Sequence, residues 1–137
     1  MSLILDASVT MAWYFKDEAT PASEKIFDHV IENGAFVPPL WRLEIINAFQ
    51  VGIRRNRTTI LVRDESLADL QNFPITVDHD TNDYIWSTTL RLSDRYGITI
   101  YDACYLELAQ RRNLPLATFD AQLRSACHSL GLPSVGS

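Results

Sequence analysis

Short apolar runs alternate with longer segments of helical spacing along the whole chain, and this alternation limits the possible folds more than any other feature. The strand-like runs are 2–5, 35–37, 75–77 and 115–118. Short apolar runs bounded by turn residues are typical of buried strands. Strands that alternate with helices of ten or more residues pair in parallel through right-handed crossovers. The pattern therefore predicts a three-layer α/β/α sandwich with a central parallel sheet.

Capping residues and glycines mark the helices between these strands. Thr20 precedes Pro21 as a predicted N-cap, while Thr81 and Asp120 are predicted to cap two later helices. The predicted helical segments are 8–15, 21–33, 60–71, 82–96, 102–112 and 121–131, together with a helix that runs from residue 40 toward the basic run at 54–57.

Composition and length point to one ordinary globular domain. The chain has 137 residues, of which 47% are hydrophobic and 21% charged, and no linker or repeat divides it. Its apolar runs stay well below the ~20 residues of a membrane-spanning helix. We therefore expect a single cytoplasmic domain over residues 1–137, without a membrane segment.

Four carboxylates occupy positions that a parallel sheet would bring together. Asp6 and Asp120 follow two of the strands, Asp102 begins a helix, and Glu44 lies one turn into another. Ligands bind such sheets beyond the carboxyl ends of the strands, where the strand order reverses. Each acid alone also suits a helix cap or a solvated surface. Together these four residues, called the acidic quartet below, predict one acidic crevice.

Clustered acids of this kind predict a metal site. They repel one another and raise one another's pKa unless cations offset their charge. Since no Cys or His joins the set, the oxygen ligands favour Mg²⁺ or Mn²⁺. One or two such ions activate a water molecule and stabilise the leaving oxygen in phosphodiester hydrolysis. The quartet therefore indicates a metal-dependent phosphodiester hydrolase.

The order and spacing of four short motifs carry a family resemblance across nearly the whole chain. The motifs are Leu3–Ser8, Leu43–Ala48, Tyr101–Leu106 and Leu116–Asp120. Together they resemble the PIN-domain ribonucleases, specifically the toxin component of VapBC-type toxin–antitoxin pairs. The resemblance implies a PIN-like fold and an endoribonuclease that depends on Mg²⁺ or Mn²⁺.

Site residues follow from the same resemblance. The catalytic and metal-binding acids of the family correspond to Asp6, Glu44, Asp102 and Asp120. Thr118 corresponds to a hydroxyl residue that supports the last acid, while Ser8 and Asn47 correspond to polar positions lining the pocket. Gln122 stands where other members carry a further acid, so the resemblance does not determine whether a second metal ion binds.

Two protein partners are also implied, an antitoxin whose C-terminal segment lies across the pocket and a second copy of the chain. Trp13, Tyr14 and Phe15 form an aromatic cluster that either packs in the core or lines a groove for the antitoxin. Trp41 and Trp86 are expected in the core or against the second subunit.

The basic run Arg54, Arg55 and Arg57 has two interpretations. Cations at a helix C-terminus complement its dipole, and arginines also clamp RNA phosphates through bidentate contacts. The chain has 17 acidic and 12 basic residues, and the quartet accounts for most of that excess. RNA binding is therefore expected to depend on the metal and on these arginines.

Other functional classes remain open at this point. A non-catalytic PIN-like module could keep the acids for folding or assembly, and a metal-dependent DNA nuclease or phosphatase could use the same scaffold. We favour cleavage of single-stranded or loop RNA, because a splayed strand enters a narrow acidic crevice where an A-form duplex does not.

Overall fold

Five short strands and seven α-helices alternate within the part of the chain that the structure describes. A computed structural model covers residues 1–136. The strands are β1 (Leu3–Leu5), β2 (Ala35–Val37), β3 (Ile75–Val77), β4 (Leu116–Ala117) and β5 (Ser134–Val135). The helices are α1 (Ala7–Ala12), α2 (Pro21–Asn33), α3 (Leu40–Arg54), α4 (Ile60–Gln71), α5 (Leu90–Tyr96), α6 (Ile100–Arg112) and α7 (Ala121–Ser129). Within this range, no helix combines the length and apolar character that crossing a membrane requires.

All five strands are parallel and follow the order β3-β2-β1-β4-β5. The order therefore reverses between β1 and β4, where Leu5 pairs with Ala117. Right-handed crossovers in this order put α1 to α4 on one face of the sheet and α5 to α7 on the other. The predicted three-layer α/β/α sandwich is confirmed.

The core fills the space between the sheet and both helical layers. Ile4 in the central strand, Phe49 in α3 and Leu108 in α6 are fully buried. Trp41 also lies in the core, with 7% of its surface exposed. Since three-residue strands bury little area by themselves, this two-sided packing supplies most of the sheet's stability.

Two of the predicted caps form as expected. Thr20 and Ser23 form a reciprocal capping box at the start of α2, and the Asp120 carboxylate accepts the Leu123 amide at 2.9 Å. Gly97 ends α5 in the left-handed conformation, with φ of 63°. These features depend on neighbouring residues alone, which is why local signals locate them.

The predicted helix over 82–96 is wrong in its first half. The segment begins as a 3₁₀ turn (Thr81–Tyr84), continues as a π-helical turn (Ile85–Thr89) and becomes regular only in α5. Thr81 is not the predicted cap: Asp80 stands at the N-cap position of this turn, and the Thr81 hydroxyl donates to Asp78 Oδ2 at 2.6 Å. Trp86 stands on the π-helical turn with 93% of its surface exposed, so the core does not contain it.

Candidate functional site

The point where the strand order reverses holds the first and last members of the acidic quartet. Asp6 follows β1 directly, and Thr118 follows the neighbouring strand β4. Asp120 comes two residues later as the N-cap of α7. Both carboxylates therefore belong to adjacent loops at the carboxyl edge of the sheet, the usual ligand position in this architecture.

Asp6 is the most buried acid of the quartet, with 6% of its surface exposed. Its Oδ2 accepts hydrogen bonds from Thr118 Oγ1 at 2.7 Å and from Ser8 Oγ at 2.8 Å. Burial nevertheless dominates and raises the pKa of Asp6, although these hydroxyls lower it. The two hydroxyls therefore hold the carboxylate in place, but they do not offset its charge as a basic side chain would.

The Thr118 side chain joins two loops of the site. Besides donating to Asp6, its hydroxyl accepts the backbone amide of Asp120 at 3.0 Å. Ser8 repeats the arrangement more weakly, since its hydroxyl accepts the Phe119 amide at 3.4 Å. One hydroxyl therefore orients the first acid and the backbone that carries the last acid.

Glu44 reaches the crevice from α3 and is held by a residue of α6. The Tyr105 hydroxyl donates to Glu44 Oε1 at 2.6 Å, and Tyr105 is fully buried. Burial raises the pKa of Glu44, and the charges of Asp6 and Asp102 raise it further. Tyr105 was missed by sequence reasoning, although it follows Asp102 by three residues and so shares its helix face.

Asp102 enters from the first turn of α6, where Thr99 is the N-cap. Burial raises the pKa of its carboxyl, and the charges of Asp120 and Asp6 add to that effect. Each acid of the quartet thus lies near enough to another for their charges to interact. Four separate segments of the chain therefore bring acids near one another at this edge of the sheet.

The acids of the quartet have no basic partner within residues 1–136. None of the ion pairs formed within residues 1–136 includes a member of the quartet. Asp78, which follows β3, is the opposite case: Arg111 and Arg112 contact its two oxygens at 2.8 and 2.9 Å. Burial by itself would raise the pKa of Asp78, but the hydrogen bonds from Arg111, Thr81 and Arg112 hold it well below its usual range.

The sequence did not predict a network of ion pairs around Asp78. This Asp78 network comprises Asp78, Glu107, Arg111 and Arg112. Arg111 also pairs with Glu107 at 2.7 Å. The guanidinium of Arg112 stacks on Phe36 at 4.0 Å from the ring centroid. The one feature of the sequence that could have indicated the Asp78 network is the spacing of four residues between Glu107 and Arg111, which suits an ion pair on a helix.

The residue types of the quartet fit a hard divalent cation. Carboxylate oxygens are the ligands that Mg²⁺ and Mn²⁺ prefer, and the uncompensated charge favours a cation. Within residues 1–136, however, no three His, Cys, Asp or Glu side chains already lie close enough together to hold a metal ion. Like charges that share a crevice without a cation repel one another, which favours such an open arrangement.

Comparison with known protein families assigns the chain. The PIN domain family matches residues 3–128, a range that contains the whole quartet. The chain belongs to the PIN domain family. Ribonuclease VapC3 of Pyrobaculum aerophilum is 26% identical to it over 141 aligned positions, which cover 97% of this chain and 100% of that protein. The crystal structure of PAE2754 from Pyrobaculum aerophilum matches 98% of this PIN domain and 92% of its own chain, with a TM-score of 0.68 at 23% identity, and so shares its fold.

The remaining predicted site residues of the PIN domain lie at different distances from the quartet. Asn47 is exposed one turn after Glu44 on α3. Arg54 and Arg55 are exposed at the far end of that helix, about 16 Å from Glu44 at 1.5 Å per residue. Arg57 contacts Asp17 and Glu18 instead, at 2.9 and 3.0 Å.

The aromatic cluster of the PIN domain divides between core and surface. Phe15 is buried, whereas Trp13 and Tyr14 line a groove of about 500 Å³. Other residues of this aromatic groove are Phe27, Phe73, Glu24, Asp28 and Asp69. Burial and the charge of Asp69 raise the pKa of Tyr14 to about 12. The groove thus combines aromatic walls with acidic residues.

Proposed function

We propose that this PIN domain is a metal-dependent endoribonuclease that hydrolyses RNA phosphodiester bonds at Asp6, Glu44, Asp102 and Asp120. One observation carries the proposal: the acids share a crevice without a basic partner, in a chain that neutralises its buried Asp78 with two arginines. A structural acid would be expected to resemble Asp78. The similarity to a protein named a ribonuclease supports RNA as the substrate.

Under this proposal the quartet binds Mg²⁺ or Mn²⁺, with Asp6, Asp102 and Asp120 as ligands and Glu44 binding directly or through water. When bound, such an ion polarises the phosphate and activates a water molecule. The burial of Asp6, Glu44 and Asp102, which raises the pKa of each carboxyl, supports this assignment, because a cation would stabilise charged forms that hydrogen bonds stabilise only in part.

The chain's own residues orient the acids. Thr118 and Ser8 direct Asp6, and Tyr105 directs Glu44. We propose that unpaired RNA enters along α3, where Asn47 adjoins the acids and Arg54 and Arg55 offer free guanidinium groups for phosphates. Arg57 would contribute less, because Asp17 and Glu18 already engage it.

We further propose that the protein is the toxin of a type II toxin–antitoxin module and acts in the cytoplasm. The similarity to Ribonuclease VapC3 supports this role. The antitoxin would place a basic, partly apolar segment in the aromatic groove, which offers Trp13 and Tyr14 together with the carboxylates of Asp28 and Asp69. Charge complementarity of this kind favours a basic partner.

A homodimer and a single PIN domain over residues 1–137 complete the proposal. Trp86 and Leu90 support the dimer, because they expose 93% and 44% of their surfaces and lie four residues apart. Large exposed aromatics are enriched at protein interfaces. Co-purification with a basic antitoxin, and a dimer by light scattering, would test the two partners separately.

The decisive experiment compares RNA and DNA cleavage with Mg²⁺, with Mn²⁺ and with EDTA. Asp6→Asn is expected to abolish RNA cleavage, while Asp94→Asn, which changes an exposed acid of α5, keeps the full rate. Cleavage that persists in EDTA would exclude the metal. Cleavage of DNA alone would indicate a DNA nuclease, and metal binding without hydrolysis would indicate a binding module.

A further inference from the structure

Tyr105 lies under the acidic crevice and contacts only one member of the quartet through its hydroxyl. The hydroxyl donates to Glu44 Oε1 at 2.6 Å, and the side chain has no exposed surface. Within residues 1–136, no other side chain donates a hydrogen bond to Glu44. A buried donor to a carboxylate is one of the stronger hydrogen bonds in proteins.

Electrostatic repulsion acts on Glu44 in the opposite direction. The charges of Asp6 and Asp102 both disfavour a charged Glu44 at its position. Glu44 is only partly buried, and its long side chain has rotamers that point into solvent. Without a partner, the carboxylate would therefore turn away from the other acids.

The hydrogen bond also joins the two helical layers at the site. Glu44 lies on α3, on one face of the sheet, and Tyr105 lies on α6, on the other. Asp102 precedes Tyr105 by three residues on α6, so one face of this helix carries both groups. Tyr105 thereby couples the position of Glu44 to the helix that supplies Asp102.

We infer that Tyr105 is a positioning residue that holds Glu44 beside the other acids against their repulsion, so that Glu44 is available when a cation draws the ligands together. The inference rests on the proposed function, since it requires the quartet to bind the cation. Tyr105 itself contributes no ligand. Its hydroxyl acts on the cation only through Glu44.

Binding of Mn²⁺ without RNA, followed by electron paramagnetic resonance, tests this role independently of cleavage. Tyr105→Phe removes the hydroxyl alone and is expected to weaken Mn²⁺ binding about tenfold or more, as found for partners of metal ligands. Tyr96→Phe is the matched control, because the Tyr96 hydroxyl is buried without a hydrogen-bond partner. It should leave Mn²⁺ affinity unchanged.

A double-mutant cycle separates positioning from a general effect on the fold. In a Glu44→Ala background, Tyr105→Phe should change Mn²⁺ affinity less than twofold, because the group it positions is gone. An equal loss in both backgrounds would overturn the inference. If Tyr105→Phe folds poorly, Tyr105→4-aminophenylalanine keeps the ring and a hydrogen-bond donor to Glu44 and should retain the Mn²⁺ affinity of the wild type; a loss of about tenfold in this variant would also overturn the inference.

The outcomes distinguish this inference from the proposed function. If the wild-type protein binds no Mn²⁺, the metal site proposed for the quartet is wrong, and the role of Tyr105 is wrong with it. If the wild type binds Mn²⁺ and Tyr105→Phe binds it equally well, only the role of Tyr105 is overturned.

Discussion

The hydroxyl of Thr118 donates a hydrogen bond to the carboxylate of Asp6 across 2.7 Å, although 112 residues separate them in the sequence. The same oxygen accepts the Asp120 amide. Thr118 is fully buried at the carboxyl end of β4, so water cannot replace either contact. A single side chain therefore sets the relative position of the loops that carry two of the acids.

Replacing Thr118 with valine should impair both activity and stability. Valine keeps the shape but leaves Asp6 without a donor and the Asp120 amide without an acceptor, which costs about 1–3 kcal/mol of unfolding free energy. RNA cleavage should fall by roughly 10 to 100-fold. Thr118→Ser keeps the hydroxyl and should retain most of both. Equal activity of the two variants, measured under saturating Mg²⁺, would contradict the role of the hydroxyl.

Glu44→Gln should stabilise the metal-free protein. The glutamine oxygen can still accept the Tyr105 hydrogen bond, while the charge that Asp6 and Asp102 oppose is removed. We expect a gain on the order of 1 kcal/mol in EDTA, at the expense of activity. Added Mg²⁺ should stabilise the wild type more than the variant, because only the intact site binds it well. Thermal melts with EDTA and with Mg²⁺ measure both effects, and a lower melting temperature of the variant in EDTA would refute them.

Stability in EDTA should pass through a maximum as the pH is lowered. The raised pKa values of Asp6, Glu44 and Asp102 mean that the folded state takes up protons first, so stability increases as the pH falls from 7 through those values. Asp78 behaves oppositely: its stabilisation is complete above its ordinary pKa of 3.8 and is lost as the pH falls below it.

Urea unfolding at several pH values checks this profile. The maximum is expected on the acidic side of neutrality and above the ordinary pKa of Asp78, 3.8, and Glu44→Gln should flatten the side of the profile near neutrality. A continuous decrease of stability from pH 7 downward in the wild type would show that burial and charge repulsion do not destabilise the charged acids of the quartet.

Arginine substitutions should distinguish the arginines that bind RNA from Arg57, which pairs with Asp17 and Glu18. Removing Arg54 and Arg55 should weaken RNA binding and reduce the slope of log affinity against log salt by about 0.7 for each lost phosphate contact. Arg57→Gln is the control, because Arg57 already pairs with Asp17 and Glu18. Filter binding with an uncleaved RNA in Ca²⁺ measures the slopes. Identical slopes for the wild type and the Arg54/Arg55 variant would exclude the arginine clamp.

Trp86, the exposed tryptophan of the π-helical turn, is expected to lie in the interface of the proposed dimer. Trp86→Ser is expected to convert the proposed dimer into a monomer in light scattering, because central aromatic residues carry much of the binding energy of interfaces. Ile31→Ser alters another exposed apolar residue, 43% exposed on α2, and should leave the dimer intact. A dimer that survives Trp86→Ser would place the interface elsewhere.

Local signals predicted most of the elements because capping and periodicity act over a few residues. The bounds of β2, α4 and β3 agree with the predicted 35–37, 60–71 and 75–77. The strand β5 was not predicted, since its two residues form a strand only by pairing with β4. The contact between Thr81 and Asp78 was missed for a related reason, because arginines more than 30 residues away hold Asp78 in place.

Asp6 and Asp78 show where a sequence pattern stops being informative. Each directly follows a parallel strand, and the pattern alone gives them the same expected position at the sheet edge. The structure supplies Asp6 with hydroxyls, from Ser8 and Thr118, and supplies Asp78 with guanidinium groups. One acid therefore stays available for a cation, and the other becomes part of the framework.

By itself, the sequence determined the alternation of strands and helices, the parallel sheet and the residue types that can serve as ligands, because these follow from periodicity and local chemistry. Only the tertiary structure decided which partner each acid receives. Besides the nearby hydroxyls of Thr81 and Ser8, Asp78 contacts arginines 33 and 34 residues away, Glu44 a tyrosine 61 residues away and Asp6 a threonine 112 residues away. Contacts over such separations arise from the packing of the whole sheet and its two helical layers, and no local pattern encodes them.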